Sequence, residues 1–578
     1  MCGICGWIGP GPSDASCGIE PMLAALAKRG PDDSRVWRGE DGRAVLGHTR
    51  LSIIDLAGSL QPMCNEDGKV RVTFNGEIYN FAELRRGLVS RGHVFRTHGD
   101  TEVLVHLYEE AGREMVSRLD GMFAFGVYDA RRHSLLLARD RIGIKPLFYW
   151  HDRATGGLLF ASDMSAMLAN RAVPRVLEPR ALAQYLHFGF VAHPLSWLRD
   201  VRQLQPGETL EWRDGEISLA RYYSWSYQPD QELASARRAQ SALHETLAHA
   251  VGSHLVSDVP LGSFLSSGLD STTVTGLAQR ERAASADPIS SFTVRFWSAT
   301  FDESDAARSI AGDLGTEHTE IDAAELRCDR ATLDQIVDGL GEPFGDQSAL
   351  AVFQLCREAR PHVKVALSGD GGDEIFLGYR GFLKQRLARR FRVMPRVLRR
   401  LGAASTMRSR SSLPRRLHKY LSLSLHDDPG IILDWHRRWR WSHLETLLGP
   451  DLFEELFASD DPFPGMRETI GPGADGGFLE QQIRFHMHVV LPCDALFKVD
   501  RMSMAHGMEV RVPLLANDML DYGARLPLEM RADGRRTKEP LRSIAETLSP
   551  TVARHTGKRG FGFPVDTWMR GRITQQWR

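Results

Sequence analysis

At about 150 residues per domain, the 578 residues allow roughly two to four domains, and 42% apolar with 25% charged side chains is a globular composition that excludes a disordered chain. With 72 basic against 73 acidic residues the formal charge is −1, so no overall field draws the chain to nucleic acid or to an anionic membrane. There is no run of about twenty apolar residues and no basic, apolar leader, and seven cysteines are too sparse and odd a set for a disulfide framework; the expected setting is the cytosol, with reduced thiols and no membrane partner.

From Gly47 to about Trp212, β-rich runs alternate with glycine-bearing turns; Val70–Phe74, Met122–Tyr128, Ser134–Ala138 and Leu158–Ala161 are expected strands. Two amphipathic helices, Phe81–Arg91 and Thr101–Ala111, interrupt them, the second opened by Asp100-Thr101 as a plausible cap. This half is expected to be an antiparallel α+β domain. Arg213–Gln231 lacks clean periodicity and reads as a connector. Beyond Leu233, long helical segments separate short buried strands at Gly262–Leu265, Ile289–Val294 and Val363–Leu367. That alternation implies a parallel sheet with helices on both faces and ligands at the carboxyl ends of the strands. The expected division is 1–212, a linker at 213–237, and 238–578.

Cys2 follows the initiator methionine directly. Removal of Met1 would give a thiol whose own α-amino group, with a pKa of about 8, can take its proton. The alternative is that Cys2 and Cys5 form a redox or zinc pair, although a second ligand pair at suitable spacing is missing. Further along stand Arg29-Gly-Pro-Asp-Asp33, Gly47-His-Thr-Arg-Leu-Ser-Ile-Ile-Asp55, Asn75-Gly-Glu-Ile-Tyr-Asn80, His98-Gly-Asp-Thr-Glu102 and Arg139-Asp-Arg-Ile-Gly-Ile-Lys-Pro-Leu147. With Met1-Cys-Gly-Ile-Cys-Gly6, this series resembles the glutaminase domain of class II amidotransferases. The resemblance implies an Ntn-type αββα sandwich with Cys2 as nucleophile. It also implies an oxyanion hole from the Asn75 side chain and the Gly76 N–H, and a glutamine pocket of Arg50, Leu51, Ser52, Ile53, Ile54, Glu77 and Asp100. There Arg50 would grip the α-carboxylate, and Glu77 with Asp100 the α-ammonium. On their own, Asn75-Gly76 would read as a hairpin turn, and Arg50 and Asp100 as surface charge or helix cap.

Leu265-Ser-Ser-Gly-Leu-Asp-Ser271 lies between an apolar strand and a helix, where a glycine-bearing loop aims N–H groups at an anion. No Gly-Lys-Ser/Thr follows, so it is not a Walker loop. It resembles the pyrophosphate loop of ATP pyrophosphatases, with Ser267 in place of a glycine. Leu367-Ser-Gly-Asp-Gly-Gly-Asp-Glu374 follows a second apolar strand; Asp270 and Asp373 are candidate ligands of a shared Mg2+, and an EF-hand is excluded by the missing ligand alternation.

Asp500-Arg-Met-Ser-Met-Ala-His-Gly-Met-Glu-Val-Arg-Val-Pro513, Thr537-Lys-Glu-Pro-Leu-Arg542 and Lys558-Arg-Gly-Phe-Gly-Phe-Pro564 complete a resemblance to the glutamine-hydrolysing asparagine synthetase family over nearly the whole chain. That resemblance implies an adenine nucleotide α-hydrolase-like α/β domain with many helices. It implies ATP contacts at Phe264, Leu265, Ser266, Ser267, Gly268, Asp270, Ser271, Val294, Ser368 and Gly369, Asp370 as a base, and Lys538 neutralising charge on phosphorus. The substrates would be glutamine, aspartate and ATP, with a homodimer common among relatives. Gly345, Gln347, Cys493, Ala516 and Asp163 depart from the usual pattern, which leaves open a different acceptor carboxylate. Arg380–Lys419, with fourteen basic and no acidic residues, leaves open an RNA-binding role beside that of an amphipathic surface helix.

Overall fold

The structure is a computed structural model that describes residues 1–11, 18–282, 287–323, 330–406, 412–439, 441–457, 463–472, 477–532, 536–554, 562, 563 and 565. Its strands, in chain order, are β1 (Gly3–Ile8), β2 (Asp33–Arg38), β3 (Ala44–Arg50), β4 (Met63–Cys64), β5 (Val70–Ile78), β6 (Gly121–Asp129), β7 (Ser134–Arg139), β8 (Phe148–Asp152), β9 (Gly157–Ala161), β10 (Val201–Gln203), β11 (Glu208–Arg213), β12 (Glu216–Arg221), β13 (Leu261–Phe264), β14 (Ser290–Arg295), β15 (Glu317–Asp322), β16 (Val365–Leu367) and β17 (Glu509–Arg511).

The first twelve make two antiparallel sheets, ordered β10-β8-β9-β1-β3-β2 and β12-β11-β7-β6-β5-β4. Side-chain alternation fixes how they stack. Ile4, Leu46 and Phe160 of the first sheet meet Ala124, Leu137 and Leu210 of the second in one buried layer. The opposite faces are covered by helices: Cys5, Trp7 and Val45 pack on Ile19, Met22 and Leu26 of the helix Ile19–Leu26, and Phe74, Phe123 and Phe125 pack on Val103 and Leu107 of the helix Glu102–Ala111. The result is the expected αββα sandwich.

Part of the expected connector is sheet. β12 pairs with β11 from Glu208↔Arg221 to Arg213↔Glu216, and the two turn residues, Asp214 and Gly215, have φ of 51° and 89°. Asp-Gly is the preferred chemistry for such a left-handed two-residue turn. β12 is an edge strand with exposed residues on both faces, so it lacks the alternation that would have marked it.

The second half holds a five-stranded, wholly parallel sheet in the order β15-β14-β13-β16-β17. Both faces are covered, Val365 and Leu367 by one apolar cluster and Ala366 by another. After running outward from β13 to β15, the chain returns to place β16 on the other side of β13. The carboxyl ends of β13 and β16 therefore flank a switch point, where such sheets bind ligands. Helices fill the remainder, including Arg380–Arg390, Arg396–Thr406 and Ser412–Leu423 within the basic stretch, where Arg389 and Arg392 turn to Asp428. Among the described residues no helix is long and apolar enough to cross a membrane. Of the Lys558–Pro564 motif only Gly562 and Phe563 are described; the rest lies outside the described residues.

Candidate active sites and the seam between them

Cys2 is buried just ahead of β1, and its N–H donates to Asn75 Oδ1 at 3.0 Å. Asn75 lies inside β5, paired with Ala124, and not at a hairpin turn. Its Nδ2 is fully buried and has no hydrogen-bond partner. A buried, unspent donor is costly, about 1–3 kcal/mol, and beside a thiol it is placed to receive an oxyanion. The next residue must be glycine, because a Cβ on Gly76 would fall 2.1 Å from the Met122 carbonyl oxygen. Burial pushes the Cys2 thiol up, while the N-terminal ammonium, the Leu51 N–H and Arg50 pull against it. Cys5 faces the opposite, helix-covered side of the sheet, which disposes of the Cys-x-x-Cys alternative.

Of the remaining expected glutamine residues, Arg50 and Leu51 act on the Cys2 thiol. Arg50 is held by the Leu56 and Asp55 carbonyls at 3.0 and 2.7 Å. Leu51 and Ile53 are buried in the apolar cluster shared with the second half, the Ser52 N–H donates to Asp32 at 2.7 Å, and Ile54 packs at the cluster's edge. Asp100 does not cap the helix it precedes. Its carboxylate accepts the Ile78 N–H at 2.9 Å, and Thr101 makes no side-chain cap either. Burial raises Asp100 to about 6. Glu77 is pushed well above the carboxylate range by burial and by Glu509 and Asp100. Its nearest cation is Arg511 of the other half, at 3.4 Å.

The second centre lies at the switch point. Leu265 follows β13 and donates its N–H to the Phe292 carbonyl; Phe264 ends β13 and Val294 is the penultimate residue of the adjacent β14. The Ser266 and Gly268 N–H groups are turned inward by the Ser271 and Ser266 hydroxyls, both at 3.1 Å, and the Ser267 hydroxyl donates to Glu303 at 2.8 Å. The two loops touch through glycines: a Cβ on Gly369 would lie 2.8 Å from the Asp270 Cβ. Lys538 bridges the loops, ion-paired to Asp270 and, at 2.7 Å, to Asp373. Burial would lower its ammonium, but Asp270 and then Asp373 outweigh this and hold it above the ordinary lysine range. Lys538 has φ of +60°, a strained setting for a non-glycine residue and one that aims its side chain between the two carboxylates. The Ser368 hydroxyl donates to Asp370 at 2.5 Å, and burial raises the Asp370 carboxyl.

Between the centres runs a buried, ion-paired seam whose pairings join motifs far apart in sequence. Arg29 grips Asp500 with two hydrogen bonds of 2.9 and 3.1 Å, Arg501 pairs with Asp163, and the Met1 ammonium meets Glu509 at 3.0 Å, all buried. Met1 packs against Met122 and Met504. Lys498, held by Asp346 and Ser348 at 2.7 Å each, was also missed; in the helix Leu496–Met504 it is one of two cations, with Arg501, among mostly apolar residues. Two departures from the family pattern lie on this seam: Cys493 meets His193 at 3.2 Å, and the Gly345 N–H donates to the Gly189 carbonyl at 2.7 Å. Asp163 keeps a carboxylate for Arg501, while Ala516 is buried in the core.

Residues 1–223 match the family model of the glutamine amidotransferase domain, and residues 242–578, more than half of the chain, match that of asparagine synthase. The chain belongs to the asparagine synthase family. It is 31% identical to asparagine synthetase [glutamine-hydrolyzing] 1 of Bacillus subtilis over 595 residues, covering all of this chain and 89% of that one. It is 32% identical to a putative asparagine synthetase [glutamine-hydrolyzing] of Mycobacterium bovis over 606 residues, with 100% and 90% covered. Family membership places both halves, with both loops, in one enzyme type.

Proposed function

We propose that this chain makes asparagine from aspartate and ATP with nitrogen taken from glutamine, releasing glutamate, AMP and pyrophosphate. The observation that carries the proposal is a thiol site with an unspent oxyanion donor, joined through a closed ion-paired seam to a pair of anion-cradling loops. The cytosol, which supplies all three substrates and keeps Cys2 reduced, is the compartment assigned to it.

Removal of Met1 would turn the Cys2 nitrogen, now 3.0 Å from Asn75 Oδ1, into an amine that takes the thiol proton. The thiolate attacks the glutamine amide carbon, and Asn75 Nδ2 with the Gly76 N–H receives the developing oxyanion. Arg50 takes the α-carboxylate; Glu77 and Asp100 take the α-ammonium. Protonation by the same amine expels ammonia, and water then cleaves the thioester to glutamate.

In the second half, the loop of Ser266, Ser267, Gly268 and Ser271 would cradle the leaving pyrophosphate, while Phe264, Leu265, Val294, Ser368 and Gly369 enclose the AMP part. Asp270 and Asp373 present hard oxygens, and Asp270 Oδ1 is buried without a hydrogen-bond partner, so the pair suits Mg2+. Bound there, Mg2+ would neutralise phosphate charge. Lys538 stabilises charge on the phosphorus as the carboxylate attacks it. Asp370, kept basic by burial, accepts a proton when ammonia attacks the acyl-adenylate. Ammonia must cross before water protonates it, which requires a dry route between the centres, and the buried Met122 and Met504 pack together on the seam.

The test is exchange of labelled pyrophosphate into ATP. Exchange that depends on aspartate supports the reading; exchange with another acid and none with aspartate would refute it.

A further inference from the structure

We infer that the glutaminase half carries a structural zinc site, made by His93, His106, Glu66 and Glu109 on the helix-covered side of the second sheet, away from Cys2. Three segments bring Glu66, His93 and His106 together: the turn after β4 supplies Glu66, the chain after the helix Phe81–Ser90 supplies His93, and one face of Glu102–Ala111 supplies His106 and, one turn on, Glu109, which reaches both histidines.

The geometry is that of ligands around an ion and not of partners in hydrogen bonds. His106 Nδ1 lies 3.6 Å from Glu66 Oε2 and 3.5 Å from Glu109 Oε2, and His93 Nδ1 lies 3.9 Å from Glu109 Oε2. Hydrogen bonds would be shorter. A tetrahedral Zn2+ with bonds of about 2.0 Å sets its ligand atoms about 3.3 Å apart. These pairs exceed that by about 0.2–0.6 Å, and Glu66, His93 and His106 hold one ligand atom each within 4.8 Å of one another, so the side chains close in on binding the ion. His106 is buried, 1% exposed, and neither ring nitrogen has a hydrogen-bond partner, an unusual state for a buried imidazole.

The surroundings hold the candidate ligands in place. Glu66 Oε1 accepts the Val94 N–H at 3.0 Å and Glu109 Oε1 accepts from Asn65 Nδ2 at 2.6 Å, which leaves the Oε2 atoms turned to His106. Behind each imidazole stands a second carboxylate, Glu110 at 3.3 Å from His93 Nε2 and Glu102 at 3.8 Å from His106 Nε2. Metal-bound histidines are usually oriented by such a carboxylate. Two imidazoles and two carboxylates favour Zn2+ over Mg2+, which seeks all-oxygen octahedral sites. An ion here would tie down the 93–102 segment, in which Glu102 already accepts the Arg96 and Thr97 N–H groups at 2.8 and 2.7 Å and which also carries Asp100.

The test strips the full-length protein with chelator, supplies Zn2+ in the presence of excess Mg2+, and measures zinc per chain after gel filtration. It is run on the native sequence, on His93→Ala, on Glu66→Gln and on Cys2→Ser, whose thiol could otherwise take zinc. One zinc per chain, retained by Cys2→Ser and held at least about tenfold more weakly by His93→Ala and Glu66→Gln, is the expected result. Co2+ should then give the visible absorption of a tetrahedral nitrogen–oxygen site in the native protein and lose it in His93→Ala, and zinc should raise the melting temperature of the native protein and of Cys2→Ser but not of His93→Ala or Glu66→Gln. Failure to retain zinc, or equal retention by His93→Ala and Glu66→Gln with unchanged melting curves, would overturn the assignment.

Discussion

Arg511 Nη2 lies 3.4 Å from Glu77 Oε1 across the seam, and the carbonyl of the same arginine accepts the Ser368 N–H at 2.8 Å. One residue thus touches the proposed glutamine pocket with its side chain and anchors the Ser368–Asp370 loop with its backbone. Its guanidinium also binds Glu509 at 2.6 Å and the His254 and Val256 carbonyls at 2.7 Å each. Arg511→Met would strand buried carboxylates and should cost about 3–5 kcal/mol, read as a fall in melting temperature. Arg511→Lys keeps the charge but loses the fork. It should fold and yield less asparagine per glutamine hydrolysed; an unchanged ratio would contradict the coupling.

Asn75→Ala removes the unspent Nδ2 donor. The expected loss is about 10²–10³-fold in glutaminase kcat, with ammonia-dependent synthesis retained. A loss below tenfold, with the fold intact, would place the oxyanion elsewhere.

Asp100 is raised to about 6 by burial, so it gains its proton as the pH falls through that value. The protonated form cannot attract an α-ammonium, and kcat/KM for glutamine, which reports the free enzyme, should therefore fall below about pH 6. For stability the sign is opposite: with a folded pKa above its ordinary value of about 3.9, Asp100 weakens the fold above pH 6 and less so at lower pH. Asp100→Asn should flatten that limb of the kcat/KM profile and relieve the destabilisation at neutral pH, and a profile identical to the native one would exclude Asp100.

Lys538→Met leaves Asp270 and Asp373 facing each other without their shared cation. Adenylate formation should fall at least about a hundredfold with either nitrogen source, while glutaminase activity remains. Lys538→Arg should recover part of it. Chelating divalent metal should stop pyrophosphate release in the native enzyme, and release that survives chelation would argue against Mg2+ at this pair.

What the sequence made legible was local chemistry. Leu265–Ser271 and Ser368–Glu374 each lie in one turn of chain between a strand and a helix, so order and spacing alone describe them. The antiparallel strands and the parallel sheet followed from periodicity, and the stacked αββα arrangement from the family resemblance. Asn75-Gly76 was ambiguous because the pair suits a hairpin turn as well as a strand; the pairing of Asn75 with Ala124 inside β5 separates the two. Arg511 with Glu77, Lys498 with Asp346, and His93 with His106 and Glu66 depend on long-range packing, which spacing does not encode. β12 had a readable signal in Asp214-Gly215, masked by the mixed exposure of an edge strand.

The account stands most directly on Cys2→Ala, assayed with aspartate and ATP and with either glutamine or ammonium as nitrogen source. Asparagine with AMP and pyrophosphate should form from ammonium at close to the native rate and not at all from glutamine. Loss of both activities in a folded variant, or nucleotide released as ADP and orthophosphate, would contradict it.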